Sequence, residues 1–255
     1  MITDYILCKM YLLTCKDLYR VPVIEETMKI ITIKARDLPE AWFLCLRKVL
    51  TEGYEYVIDR GSSEGTRRKE PDLVVVQIEF PGRRPLVPDV PPGVPAPSSM
   101  DYVEGYLQYL MTDEKAEHEQ YTYGEYLAPQ IPEVIRMYKE QGYGTNQAYM
   151  AVGDRNSILL TDPPCLRGID TRVRYGALHF VVYFRSWDLW AGFPSNLAAI
   201  QMLKEYMASE IGVEDGELIA ISKGMHLYDY TWDLAKACAR LEGYQPPLPL
   251  TLEGK

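Results

Sequence analysis

The segment from residue 81 to residue 99, PGRRPLVPDVPPGVPAPSS, places the strongest constraint on the fold, because proline recurs throughout it. Each proline fixes φ and removes a backbone N–H donor, so the segment can form neither a regular helix nor a central strand. We therefore predict a long ordered loop. We expect it to lie within one domain spanning residues 1–255 rather than to separate two independent domains.

On both sides of this loop, some segments have the hydrophobic spacing of strands and others have that of helices. The predicted strands are 28–34, 73–80, 147–152, 172–186 (one long strand) and 216–224. The predicted helices are 37–53, 100–111, 128–141, 196–212 and 229–243. Because strands and helices mix without a regular βα alternation, the sequence predicts an α+β fold.

The composition is that of an ordinary globular protein able to bury a sizeable core, with 255 residues of which 47% are hydrophobic and 25% charged. No apolar run reaches the roughly 18 residues that a membrane span needs, so we expect no membrane partner. The net charge of −9 and the pI near 5.0 argue against a general nucleic-acid binder. A small anionic ligand is still compatible with them, because a few arginines converging in one pocket outweigh a distant net charge.

Five cysteines are scattered along the chain, namely Cys8, Cys15, Cys45, Cys165 and Cys238. Their number is odd and no pair has metal-ligand spacing, which argues against a disulfide framework and against a zinc site. The first residues carry an early acidic residue and no basic leader, so we do not interpret them as a signal peptide. These features favour a reducing, cytoplasmic location and no bound metal.

One cysteine stands in an unusual setting, since Cys165 directly follows Pro163 and Pro164. Two consecutive prolines make a stiff turn. A buried, inert thiol needs no such support, whereas a nucleophile that must point at one atom does. We therefore single out Cys165 as a candidate nucleophile, with an inert core thiol as the alternative.

Further polar residues lie within three later segments, at places where predicted strands end and predicted helices begin. These candidates are Arg185, Ser186 and Asp188 in YFRSWD, Gly192 and Asn196 in GFPSN, and His226 and Tyr228 in KGMHLYDY. A guanidinium suits a phosphate, and an amide offers a nucleobase edge both a donor and an acceptor. A nearby arginine also lowers the pKa of a thiol, because it stabilises the thiolate. The set suggests a nucleotide and a covalent step.

In this order and at about this spacing, DPPC, RSWDLWAGFPSN and HLYDY closely resemble the pattern of the thymidylate synthase family. KVLTEGYEYVIDRGSSEGT, VEGYLQYL and YTYGEY resemble the family's amino-terminal helix and loop, its glutamate helix and its active-site Tyr-Gly. The resemblance does not extend to a divergent segment at 1–35. It implies one domain on a large mixed β-sheet with flanking helices, and a homodimer whose sheets pack back to back.

The resemblance also implies a mechanism. Cys165 would add to C6 of dUMP, and C5 would then take a methylene group and a hydride from a reduced pterin to give dTMP. Glu104 and Tyr123 match the positions for proton transfer. Among the binding residues, Arg60, Arg185 and Ser186 match phosphate ligands, Asn196 matches the amide that reads uracil, His226 and Tyr228 match the ligands of the sugar hydroxyl, and Asp188 and Gly192 match positions at the cofactor.

The chain also departs from the family pattern. Where the family has an Arg-Arg pair for the phosphate, this chain has Asn146 and Gln147, and the nearest substitutes are Arg155, Arg167, Arg172 and Arg174. The tryptophans of the folate site are absent from KAEHEQYTYG, and the end, PLPLTLEGK, lacks the family's closing tail. We therefore expect a divergent, archaeal-looking branch. Its cofactor is 5,10-methylenetetrahydrofolate or a methylene-tetrahydromethanopterin-type analogue.

Two other functions stay open. One is a pyrimidine nucleotide 5-hydroxymethylase acting on dUMP, dCMP or CMP, in which water replaces the hydride. The other is a nucleotide-binding homologue that has lost catalysis. At single positions, Asn196 could be only a helix cap, and we expect RRK at 67–69 to be a solvated loop.

Overall fold

The computed structural model describes residues 27–117 and 119–241. Most of the segment 1–35, with Cys8 and Cys15, and the carboxyl-terminal PLPLTLEGK lie outside the described residues. The strands are β1 (Ile30–Ala35), β2 (Tyr54–Val57), β3 (Arg67–Glu70), β4 (Leu73–Ile78), β5 (Tyr149–Ala151), β6 (Leu166–Arg174), β7 (Ala177–Phe184), β8 (Trp187–Asp188), β9 (Glu214–Ser222) and β10 (Met225–Tyr228). The helices are α1 (Leu38–Glu52), α2 (Met100–Met111), α3 (Tyr123–Leu127), α4 (Gln130–Gln141), α5 (Gly192–Ile211) and α6 (Trp232–Cys238).

A six-stranded sheet forms the centre of the molecule, with the strand order β1-β4-β9-β7-β6-β5. The pairs β1–β4 and β7–β9 are parallel, and the pairs β4–β9, β6–β7 and β5–β6 are antiparallel. A smaller sheet has the order β2-β3-β10-β8. The predicted α+β fold on a large mixed sheet with flanking helices is therefore confirmed.

One face of the large sheet forms the core with the helices. In β7 the alternating side chains Leu178, Phe180, Val182 and Phe184 are buried. Helix α5 is buried around most of its circumference, which is typical of a helix inside a core. None of the described helices is long and apolar enough to cross a membrane.

The opposite face of the large sheet carries a row of half-buried apolar side chains. Val75 of β4 is paired with Ile221 of β9, which is paired in turn with Tyr183 of β7. Ile219 and Val181 form the next row. We call this surface the outer sheet face.

The predicted long strand over 172–186 is wrong, because the chain turns back in its middle. Strands β6 and β7 form a hairpin in which Arg174 is paired with Ala177. The two loop residues have positive φ, 54° at Tyr175 and 77° at Gly176, as the usual two-residue hairpin turn requires. Tyrosine is rare in that conformation, so residue types alone indicate the turn only weakly.

Two further boundaries differ from prediction. Helix α5 begins at Gly192, so Asn196 lies inside the helix and is not its cap. Residues 67–69, predicted as a solvated loop, belong to β3. All four residues of RRKE are charged, whereas strands are usually marked by apolar residues, so the segment resembled a loop.

The proline-rich loop is confirmed as irregular, since no described helix or strand lies between Ile78 and Met100. It is anchored to α5 at two points. Arg84 donates to Glu205 at 2.9 Å, and the hydroxyls of Ser195 and Ser98 are hydrogen-bonded to each other at 2.8 Å. The loop is therefore an ordered wall that reaches the first turn of α5.

Candidate active site

A cavity of about 390 Å³ opens between the small sheet and the start of β6. Seven of the predicted site residues line it together: Arg60, Cys165, Arg185, Ser186, Asp188, His226 and Tyr228. These residues come from four separate stretches of chain. We call this space the thiol cavity.

Cys165 lies immediately before β6, on a turn that one side chain holds in place. The backbone N–H of Arg185 donates to the Cys165 carbonyl at 2.8 Å. The guanidinium of Arg185 donates from Nε to the carbonyl of Pro164 at 3.1 Å and from Nη2 to that of Pro163. The direction of the thiol therefore depends on Arg185 as well as on the two prolines.

The electrostatics of the thiol are set by burial, which raises the pKa of Cys165 above its usual value. Arg185 lowers that pKa, as we predicted, and Asp162 raises it again. The net direction is nevertheless upward, because loss of solvent around the sulfur outweighs one partly neutralised guanidinium. In the free protein, the thiol is therefore in its neutral form at pH 7.

The guanidinium of Arg185 is also committed to other partners. Its Nη2 donates to Asp162 at 2.9 Å in addition to Pro163. Among the described residues, only its Nη1 is left without a partner. Arg185 can thus offer a phosphate one free nitrogen and a charge that Asp162 already balances in part.

At the opposite wall, His226 presents an unpaired ring nitrogen. Its Nδ1 lies 2.8 Å from the carbonyl of Gly224, an acceptor, so Nδ1 carries the proton. Its Nε2 is buried and has no hydrogen-bond partner among the described residues. Burial lowers the pKa of His226 to about 4, so the ring is neutral at pH 7 and Nε2 can accept from a ligand hydroxyl.

Tyr228 lies edge-on to the His226 ring, with 4.8 Å between ring centres. Its hydroxyl accepts from the hydroxyl of Ser63 at 3.2 Å. Ser63 belongs to the same loop as Arg60, which is exposed at the cavity rim. The loop between β2 and β3 is therefore tied to the strand that carries His226.

Asp188 joins the thiol cavity to a second space. Its carboxylate accepts from the N–H groups of Trp190 at 3.0 Å and Ala191 at 3.4 Å, just before the first turn of α5. Burial raises the pKa of Asp188. Asp188 also lines a cavity of about 600 Å³ between the proline-rich loop and α5, which we call the helix cavity.

Gly192 and Asn196 line the helix cavity and not the thiol cavity. The indole N–H of Trp187 donates to Oδ1 of Asn196 at 2.9 Å. Since an indole nitrogen can only donate, the oxygen of the amide must face Trp187, and the NH₂ group is directed elsewhere. The Trp187 ring is itself held in a stack on Phe184 at 4.0 Å. The orientation of the Asn196 amide is thus fixed by the core.

Tyr123 approaches the Cys165 turn from the other side. Its hydroxyl accepts from the N–H of Leu166, the residue after Cys165, at 3.3 Å. Burial raises the pKa of Tyr123 well above its usual value, and the neighbouring Cys165 adds to this shift. Tyr123 also lines a cavity of about 630 Å³, the tyrosine cavity, together with Asp101, Tyr102, Gly105, Tyr106, Tyr109, Glu119 and Tyr121.

Glu104 is not brought to these residues. It lies on an exposed part of α2 and lines none of the three cavities described. Asp101 and Glu119 are the carboxylates in the tyrosine cavity. The sequence resemblance did not single them out.

Arg68 was missed at the sequence level and lines the thiol cavity. A signal was available, because alternate residues of RRKE share one face if the segment is a strand. By contrast, none of the four arginines suggested as phosphate ligands, Arg155, Arg167, Arg172 and Arg174, lines that cavity. Within the described ranges, no cluster of His, Cys, Asp and Glu could hold a metal ion.

Comparison with known proteins agrees with these observations. A family model described as "Thymidylate synthase" matches residues 119–254. A "Putative thymidylate synthase" of Methanosarcina acetivorans is 29% identical over 210 residues, covering 80% of this chain and 92% of that protein. A protein of the same description from Methanococcoides burtonii is 30% identical over 209 residues, covering 79% and 91%.

A solved structure, thermostable thymidylate synthase A from Bacillus subtilis, has a similar fold. The TM-score is 0.62 at 16% identity, over 83% of this chain and 87% of that one. At this identity the likeness concerns the fold alone.

The buried His226 should make stability depend on pH. Its pKa in the folded protein, about 4, lies below the ordinary 6.5, so the unfolded chain takes up the proton first as the pH falls. The free energy of unfolding should therefore drop between pH 6.5 and pH 4, by up to about 3 kcal/mol from this group. Denaturant unfolding of the wild type and of His226→Gln at both pH values measures the difference.

The wild type gives the total loss of stability between the two pH values, and the part of that loss that His226→Gln no longer shows is the part due to His226. An equal loss in His226→Gln and in the wild type would contradict the assignment to His226.

Proposed function

The chain belongs to the thymidylate synthase family, and on this premise we propose that it methylates dUMP at C5 to form dTMP. The observation that carries the proposal is the thiol of Cys165, which shares one cavity with Arg185, Asp188 and His226. This combination offers a nucleophile, a cation for a phosphate and an acceptor for a sugar hydroxyl.

The first step is addition of the Cys165 sulfur to C6 of the pyrimidine. As the S–C6 bond forms, the electrons of the C5–C6 double bond move towards C5 and O4. The thiol must lose its proton for this step, and Arg185 is the neighbour that lowers its pKa. The NH₂ group of Asn196 can donate to O4, where the negative charge develops.

The reaction needs a reduced pterin, which supplies the methylene carbon and the hydride when it is bound. The residues of the tyrosine cavity fit such a group, since the rings of Tyr106 and Tyr123 offer aromatic walls beside Leu166 and the nucleophile. We propose 5,10-methylenetetrahydrofolate or a methylene-tetrahydromethanopterin-type analogue in this position. Nothing in the proposed reaction calls for a metal.

Proton transfer at C5 is the role that the resemblance gives to Tyr123 and Glu104. The raised pKa of Tyr123 keeps its hydroxyl neutral, so we propose that Tyr123 orients a water molecule rather than acting as the base itself. The exposed Glu104 gives no support to the corresponding role. The carboxylates that line the same cavity as Tyr123 are those of Asp101 and Glu119.

A second candidate is hydroxymethylation, which the polar character of the tyrosine cavity favours. Tyr102, Tyr106, Tyr109, Tyr121 and Tyr123 bring phenol groups to a region where the family pattern has tryptophans. Phenols hold water by hydrogen bonds, and water is the reactant that would replace the hydride. The cytoplasmic location inferred from the cysteines remains a prediction. A nucleotide-binding homologue without catalysis remains an alternative function.

The replacement of Cys165 tests the mechanism. Cys165→Ser should reduce the conversion of dUMP by more than about a thousandfold, because an alcohol is a far poorer nucleophile than a thiolate. Products of dUMP, UMP, dCMP and CMP with each methylene-pterin are identified by mass, which separates methyl from hydroxymethyl products and from no reaction. Cys238→Ala, at a buried thiol on α6, is the control and should stay active. A Cys165→Ser rate within tenfold of the wild type would show that another residue is the nucleophile.

The replacement of Asn196 tests how the base is read. The wild type should prefer dUMP over dCMP by at least about tenfold, because a buried donor or acceptor left unpaired by the wrong base costs about 1–3 kcal/mol. Asn196→Asp should narrow or reverse this preference, since one carboxylate oxygen can accept from Trp187 while the other accepts from the N4 amino group of cytosine. Competition kinetics with both nucleotides gives the ratio. A ratio unchanged by the substitution would remove the base-reading role.

The outer sheet face suggests a homodimer, as the resemblance implies. Two copies related by a twofold axis could cover the same apolar rows with each other. Light scattering at micromolar concentration should therefore give the mass of a dimer, and Val181→Asp in the middle of the face should shift it towards the monomer. A wild type that is monomeric under these conditions would contradict the proposal.

A further inference from the structure

We propose that Arg68 binds the phosphate group of the nucleotide, in place of the Arg-Arg pair that this chain lacks. The inference rests on the proposed function in that it takes the thiol cavity as the nucleotide site. Arg68 lines the thiol cavity and lies on β3, a strand that the family motifs do not include.

Arg68 is held so that its guanidinium faces the cavity. Its Nε donates to the hydroxyl of Tyr56 at 2.6 Å, and its guanidinium lies 5.0 Å from the centre of the Tyr56 ring. Its Nη2 is 3.1 Å from a carboxylate oxygen of Glu70, and only 20% of the side chain is exposed. Two anchors on one side leave Nη1 without a partner among the described residues and available to an anion in the cavity.

The other cations of the cavity are less suited to this task. The Nε and Nη2 atoms of Arg185 donate to the turn that carries Cys165, and the guanidinium is also paired with Asp162. Arg60 is exposed on a loop, where solvent screens its charge. A phosphate carries up to two negative charges, so one partly engaged guanidinium and one exposed guanidinium leave it incompletely matched.

Glu70 fixes Arg68 but does not remove its charge from the cavity. Burial raises the pKa of Glu70, and Arg68 is the neighbour that most lowers it. Glu70 itself is not among the residues that line the thiol cavity. The pair thus presents its positive end to the cavity and keeps its negative end in the small sheet.

The test is equilibrium binding of dUMP and of deoxyuridine, which differ only in the phosphate. Arg68→Gln should weaken dUMP binding by about ten- to a hundredfold, the range expected for a charge-assisted hydrogen bond, and leave deoxyuridine binding unchanged. Arg68→Lys, which keeps the charge without the planar fork, should lie between the wild type and Arg68→Gln. The matched control is Arg67→Gln, because Arg67 is the same residue type on the same strand and pairs with Glu55 outside the cavity.

A double variant separates binding from support of the fold. If Arg68→Gln acts only by leaving Glu70 unpaired, adding Glu70→Gln should restore dUMP binding. If Arg68 contacts the phosphate, the double variant should bind dUMP as weakly as Arg68→Gln.

Three results would overturn the inference: equal losses for dUMP and deoxyuridine, no loss in Arg68→Gln, or recovery in the double variant. Binding of CMP and of cytidine is compared in the same way, so that failure of this inference can be distinguished from failure of the proposed function. A wild type that binds CMP and not dUMP would contradict dUMP as the substrate, whereas a phosphate-specific loss for CMP in Arg68→Gln would still support Arg68.

Discussion

The bond between Arg185 and the Cys165 turn is the interaction on which the site depends. Arg185 directly follows β7 and Cys165 directly precedes β6, so the hairpin of these strands brings the two together. The guanidinium then fastens the carbonyls of Pro163 and Pro164. Loss of this side chain would release the turn as well as remove a positive charge from the thiol.

Burial sets the chemistry around this bond. It raises the pKa of Cys165 and of Asp188 and lowers that of His226, and in each case the cause is a charged form deprived of solvent. The thiol and the imidazole of the free site are therefore neutral at pH 7, while arginines lie at the edge of the site. We infer that this site binds most tightly a ligand that places a negative charge next to the arginines.

Local sequence predicted much of the site, because its motifs stand at the ends of strongly patterned strands and helices. Cys165, Arg185 and His226 were singled out from residue types and order, and they line one cavity. The two failures have different causes. A tyrosine with positive φ disguised the hairpin, because tyrosine rarely adopts that conformation. The charged strand β3 resembled a loop, because it is held by pairing with β10, which lies far along the chain.

By itself, the sequence determined the α+β class, the irregular proline-rich loop and the stiff turn of Cys165, since each follows from local propensity and backbone restriction. Only the tertiary structure decided that Trp187 orients the amide of Asn196, that Arg68 faces the cavity and that Glu104 does not. These properties depend on side chains brought together from separate strands and helices. Their direction and solvation are set by packing, which no short stretch of sequence specifies.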